Sequence, residues 1–176
     1  AVSYRLLQFI NSAFFSRPFK IGSIPQAVST LGQRPLRHWL MAVILSDLSP
    51  TPQAKEICTS SVQRAKFLEN LSTRAKSAPR SPDSMFMLGL LSRLDILLGT
   101  NMDRVLSGMS LDEEIAGALR GEPNKARLWL DLVARLEVGE WEQAQEILGC
   151  LGLDPVDAAR HQAEAATWTR QAMDAA

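Results

Sequence analysis

Leu88-Gly89-Leu90-Leu91-Ser92-Arg93-Leu94-Asp95 is the stretch on which the reading of this chain turns. It lies within an apolar segment from Ser84 to Leu98 that Gly99 closes, and the pattern predicts one helix over 84–98. A helix this apolar has to be covered by other helices, which places it at the centre of a bundle. Ser92 and Arg93 interrupt the apolar run. A serine hydroxyl is a poor ligand for a catalytic divalent ion, and a guanidinium stays protonated and cannot coordinate one.

Working outward, helical periodicity punctuated by Gly and Pro accounts for the whole chain. A first helix ends near Asn11-Ser12. Ser23 caps a short helix with Pro25 in its first turn and Gln26 completing a capping box, and Gly32 stops it. Leu36 to Leu48 follows, with Trp39, Leu40, Val43 and Ile44 on one face. Ala54 to Ala75 is a long amphipathic helix with Cys58, Val62, Ala65, Leu68 and Leu71 inward. Residues 76–83 form the one obvious loop, a candidate internal boundary. Beyond the central helix come 100–107, then 111–119 behind a capping box at Ser110-Leu111-Asp112-Glu113, and then 124–136 after Pro123. Trp141, Ala144, Ile147 and Leu148 point inward from 140–151. Asp154-Pro155 opens the last helix, with Val156, Ala159, Ala163, Ala166 and Met173 as its stripe and Trp168 close by. Strand-like alternation is missing throughout. The expectation is an all-α chain, a single bundle of eight to ten helices spanning 1–176.

The composition narrows the function classes. At 176 residues and 46% hydrophobic content the chain can bury its own core, and its longest apolar segments are cut by Asp47, Arg93 and Asp95, too short for a membrane span. A cytoplasmic protein with no membrane partner is expected. Net charge is zero, yet residues 1–80 carry eleven Lys or Arg against three Asp or Glu, while 81–176 carry eight against sixteen. The basic residues are scattered singly without interleaved aromatics, and the helix at 36–48 offers a DNA groove only Arg37 and His38, so nucleic acid is not expected as a partner. Of the two histidines, His38 has no Asp, Glu, His or Cys at ligand spacing and His161 has only Asp157 and Glu164 nearby, and Cys58 and Cys150 are far apart. No catalytic residue, metal or cofactor is expected from this inventory. The chain opens in helix at Ala1 with neither Met nor cap, so its first helices are expected to lie upstream.

Individual residues carry narrower expectations. Asn11, at a helix end, is placed to bond backbone groups and hold a turn. Phe14, Phe15 and Phe19 flank that turn, either covering the core or forming an exposed interaction surface. Arg93 would pair with Asp95, Asp131 or another acid, or bind an anion. Asp95, Asp131 and Glu137 are the carboxylates that a metal would have to use. His38 reads as partly buried and His161 as exposed.

Two groups of segments resemble a known family. Ser3-Tyr4-Arg5-Leu6-Leu7, Ile10-Asn11-Ser12-Ala13-Phe14-Phe15, Ile21-x-Ser23-Ile24-x-Gln26-Ala27-Val28, Leu31-Gly32 and Leu36-Arg37-x-Trp39-Leu40 resemble the opening of the HDOD domain, an all-helical signalling domain related to the metal-dependent His-Asp phosphohydrolases. Val62-x-Arg64-Ala65, the segment from Phe86 to Gly99 and Gly139-Glu140-Trp141 look like the version that follows an EAL domain in bacterial cyclic-di-GMP signalling proteins. The resemblance implies a regulatory, protein-interaction domain without a reaction of its own, whose lost metal-binding doublet maps onto Ser92 and Arg93. It also implies an upstream EAL-type domain or another signalling protein as partner. Two other readings remain open: a degenerate phosphohydrolase pocket that binds a nucleotide or phosphate through Arg93, and a residual metal-dependent phosphohydrolase.

Overall fold

Helix signals in the sequence become helices in the structure, a computed structural model that describes residues 2–11, 21, 23–47, 51–75 and 78–174. In chain order they are α1 (Val2–Ile10), α2 (Ile24–Leu31), α3 (Gln33–Asp47), α4 (Pro52–Ser72), α5 (Pro82–Leu91), α6 (Leu94–Leu98), α7 (Met102–Leu106), α8 (Glu113–Arg120), α9 (Lys125–Val138), α10 (Trp141–Leu151) and α11 (Pro155–Asp174). No strand occurs among the described residues. The expected capping works as read at Ser23, whose hydroxyl accepts from the Gln26 N–H, and at Asp154, whose carboxylate accepts from the N–H groups of Val156 and Asp157.

The core is built on α4. It packs along α5 on one side and α11 on another, so the last helix returns to the first half of the chain. An aromatic cluster shows the same closure. Phe9 of α1 stacks on Trp39 of α3 with centroids 5.8 Å apart, and Trp168 of α11 meets both Phe9 and Phe86 edge-on at 5.7 and 6.5 Å. Trp129 is also fully buried. α4 and α5 therefore lie against each other, and α5 already begins at Pro82, within the stretch expected as a loop.

Asn11 fastens the start of the chain. Its amide donates to the carbonyls of Leu7 and Ile21, and its oxygen accepts from the Ile21 N–H at 2.8 Å. The side chain thus mimics one peptide unit of a ladder and holds buried Ile21 against the end of α1.

Several expectations are corrected. The single helix over 84–98 is broken at Ser92-Arg93, so that eleven helices occur among the described residues, beside the roughly eight to ten expected. The Ser92 hydroxyl donates to the Gly89 carbonyl at 2.7 Å, the oxygen that also receives the Ser92 N–H, and Arg93 leaves helical geometry at φ −131°, ψ 16°. Asp112 caps α8 in place of Ser110, by accepting from the Glu114 N–H. The buried stripe of α11 is Ala158, His161, Ala165, Trp168, Thr169 and Ala172, one residue round from the expected one. In an alanine-rich helix adjacent stripes are almost equally apolar, and the large Trp168 decides which is covered. His161 is consequently buried, with its Nδ1 2.9 Å from Glu164. Ile44, Trp141 and Val156 are exposed rather than inward.

Candidate functional site

Gly89 makes the site possible. A β-carbon there would lie 2.4 Å from the Ala65 nitrogen and 2.6 Å from the Arg64 carbonyl carbon, so α5 crosses α4 at backbone contact only because the residue is glycine. The crossing sets Arg64 of α4 beside the break between α5 and α6. Its Nη1 donates to the Ser92 hydroxyl at 3.1 Å, its Nε donates to Glu137 at 2.7 Å, and its Nη2 donates to the second oxygen of the same carboxylate. Arg93 reaches that second oxygen at 2.7 Å, and Ser60 donates to the first at 3.4 Å. Glu137, in the last turn of α9, thus closes a network from three segments distant in sequence, with Arg64 nearly buried and Arg93 and Glu137 half-buried.

This arrangement is a carboxylate held by two guanidinium groups. At Ser92 and Arg93, the positions expected from the resemblance to correspond to a metal-binding doublet, the Ser92 hydroxyl is spent on Gly89 and Arg64, and Arg93 is spent on Glu137. The adjoining pocket, lined by Arg64, Phe67, Val133, Leu136, Glu137 and Gln162 among others, is small, about 30 Å³. The partner of Arg93 is Glu137 rather than Asp95 or Asp131, and Asp131 instead accepts from Arg127 at 2.8 Å. Among the described residues no three His, Cys, Asp or Glu side chains gather as a metal would require. Phe14, Phe15 and Phe19 lie outside the described residues.

A second polar cluster went unread in the sequence. His38 of α3 is fully buried and stacks on Phe86 of α5, ring centroids 3.8 Å apart. Its Nδ1 lies 3.3 Å from Glu69 of α4 and its Nε2 lies 3.4 Å from Asp83 of α5. The Nδ1 contact is at ion-pair distance but not aligned as a hydrogen bond. Lys66 donates to Glu69 at 2.8 Å and lies over the Trp168 ring, while Arg34 and Arg37 approach Asp83. Burial alone would push the Glu69 carboxyl up, but the close contact with His38 and the hydrogen bond and charge of Lys66 together hold it below its ordinary range. An open cleft of about 190 Å³ lined by Arg37, His38, Met41, Asp83, Ser84 and Met87 adjoins the cluster. The partners stand 31 and 45 positions from His38, so no local spacing could have announced them.

The opposite charges of the two halves of the chain meet in several places. Arg64 pairs with Glu137, Arg37 with Asp83, and Arg80 with both Asp112 and Glu114 at 2.8 Å. Arg80 holds the Asp112 carboxyl below its usual range by a direct hydrogen bond. No helix of the described residues is long and apolar enough to cross a membrane.

Compared with known families, residues 1–109 match the HDOD domain. Among curated proteins, the chain is 32% identical over 177 residues to the uncharacterized protein YuxH of Bacillus subtilis, covering 99% of this chain and 42% of that protein. It is 29% identical over 170 residues to the cyclic di-GMP phosphodiesterase CdgJ of Vibrio cholerae, covering 97% of this chain and 39% of that one. The chain therefore spans about two fifths of the length of these relatives. No solved structure matches it.

Proposed function

This chain belongs to the HDOD family, and from that premise we propose that it is a non-catalytic regulatory and protein-interaction domain of a cytoplasmic, bacterial cyclic-di-GMP signalling protein, coupled to an EAL-type domain. The observation that carries the reading is the Arg64–Glu137–Arg93 network. At the positions that the resemblance assigns to a lost metal site, this chain has a carboxylate neutralised by two guanidinium groups beside a small pocket of about 30 Å³. A divalent ion there would face two guanidinium groups, and a phosphate would have to displace a carboxylate already held bidentately. Both rival readings, the residual phosphohydrolase and the nucleotide pocket, are disfavoured by the same contacts.

One relative is named as a cyclic di-GMP phosphodiesterase, and this chain corresponds to 39% of its length. In the proposed division of labour that hydrolysis belongs to another part of such a protein, and the helical domain transmits state to it. The test is twofold. Purified chain incubated with cyclic di-GMP and Mg2+ or Mn2+ is expected to show no turnover and no stoichiometric metal. Titrated against an EAL-type domain in a calorimeter, it is expected to bind saturably. Metal-dependent turnover by the chain alone, or absence of any binding to the EAL-type domain, overturns the reading.

A further inference from the structure

The corner where α9, α10 and α11 meet lies beyond the segment matched to the family and carries the three most exposed large apolar side chains among the described residues: Val156 at 77%, Val138 at 70% and Trp141 at 61%. Trp141 lines a cleft of about 150 Å³ whose walls are otherwise formed mainly by Leu136, Ala144, Leu148, Pro155 and Ala159, while Val138 and Val156 are the chain neighbours of Glu137 and Pro155 rather than part of its lining. Apolar surface concentrated around a concavity, with an indole on its rim, has the form of an anchor site for a partner's side chains.

The charge around it selects the partner. From Leu136 to Ala159 the chain carries six acidic residues and no Lys or Arg. Glu137 and Glu140 are neutralised by arginines, but Glu142 and Glu146 are exposed on α10 without an ion-pair partner among the described residues. An anionic lipid surface or a nucleic acid would be repelled here, and two copies meeting through this same face would bring like charges together.

We propose that this groove docks a basic amphipathic helix of a partner protein, its apolar face seated on Trp141, Leu148 and Ala159 and its Lys or Arg residues facing Glu142 and Glu146. The inference rests on the reading of the domain as an interaction module and specifies the chemistry of what it binds.

The test uses the whole chain and a designed helical peptide with a leucine face and lysine flanks, beside a sister peptide with the same leucines and glutamate flanks. Trp39, Trp129 and Trp168 are buried, so a change in tryptophan emission on binding reports Trp141. The cationic peptide is expected to shift the emission saturably and the acidic one to leave it unchanged. Glu142→Lys/Glu146→Lys and, separately, Ala159→Asp are expected to weaken binding by at least about tenfold, with helicity preserved in circular dichroism. Equal binding of both peptides, no binding, or unaltered affinity in the variants overturns the proposal. So does a shift produced by chain concentration alone, which would indicate a second copy, or by anionic phosphatidylglycerol vesicles. If the EAL-type domain binds while the cationic peptide does not, the groove assignment fails and the module reading stands. If neither binds, both fail.

Discussion

Gly89 of α5 faces the backbone of Ala65 on α4 with no room for a methyl group, since a β-carbon would sit 2.4 Å from the Ala65 nitrogen. In an exposed helix Gly→Ala gains roughly 0.8–1 kcal/mol. Here backbone atoms would have to move, and overpacking of that kind costs roughly 1–3 kcal/mol or more. Gly89→Ala is therefore expected to lower stability in chemical denaturation, and by parting α4 from α5 to loosen the Arg64–Ser92 bond. A stabilised Gly89→Ala protein would show that the two helices do not cross this closely.

Removing Glu137 should cost more than removing Arg93. Without the carboxylate, nearly buried Arg64 keeps its charge and loses its bidentate partner, for which a penalty of roughly 2–3 kcal/mol is expected, below the full value for a completely buried pair. Arg93 is half-exposed and Glu137 would keep Arg64, so Arg93→Ala should cost only about 0.5–1 kcal/mol. Urea midpoints of the two variants check the order. Calorimetry with cyclic di-GMP on the wild type and Arg93→Ala should register no saturable heat in either, and wild-type binding lost in the variant would make Arg93 a ligand residue.

The elements were legible because Gly, Pro and capping residues mark their ends, and the burial of Trp39 follows from apolar periodicity. Periodicity says which residues share a face, but not which of two neighbouring faces will be covered. That is why the covered stripe of α11 lies one residue round from the expected one, with His161 buried, and why Trp141 is exposed rather than inward. The break at Ser92-Arg93 was hidden for a different reason. Ser92 is compatible with helix until its hydroxyl finds the Gly89 carbonyl and Arg64, and Arg64 arrives only through the crossing that Gly89 permits.

Distance along the chain explains the rest. Arg64 and Glu137 stand 73 positions apart, and Arg93 and Glu137 stand 44 apart, so the acid that neutralises both could not be picked from the sixteen in the second half. Asn11 was readable because its role depends on a local helix end, even though its other partner, Ile21, is ten residues on.

Asn11→Ala should detach Ile21 from the end of α1. Two donated bonds and one accepted bond are lost, and the N–H and carbonyl of a buried residue are left to find new partners. A cost of about 1–3 kcal/mol is expected. Hydrogen exchange at the Ile21 amide should accelerate more than exchange in α9. Unchanged Ile21 exchange would place the anchor elsewhere.

Glu69 ties stability to pH in one direction. Its carboxyl is held below the ordinary glutamate value of about 4.5 by His38 and Lys66, which overcome the opposing effect of burial. A carboxylate depressed in the folded state contributes stability that is fully present above its unfolded value and disappears as pH falls through the folded one. Wild-type stability should thus decline as pH is lowered from about 4.5, in addition to the effect of other acids. Glu69→Gln cannot lose that contribution. It should be less stable than wild type at neutral pH, by roughly 1–3 kcal/mol, because Lys66 and His38 lose a charged partner, and the gap should narrow on acidification. Thermal unfolding of both proteins between neutral pH and about pH 3 measures the difference. A gap constant over that range would mean that Glu69 is not ionised in the folded protein, and the cluster around His38 would then have to be held together by hydrogen bonding without charge.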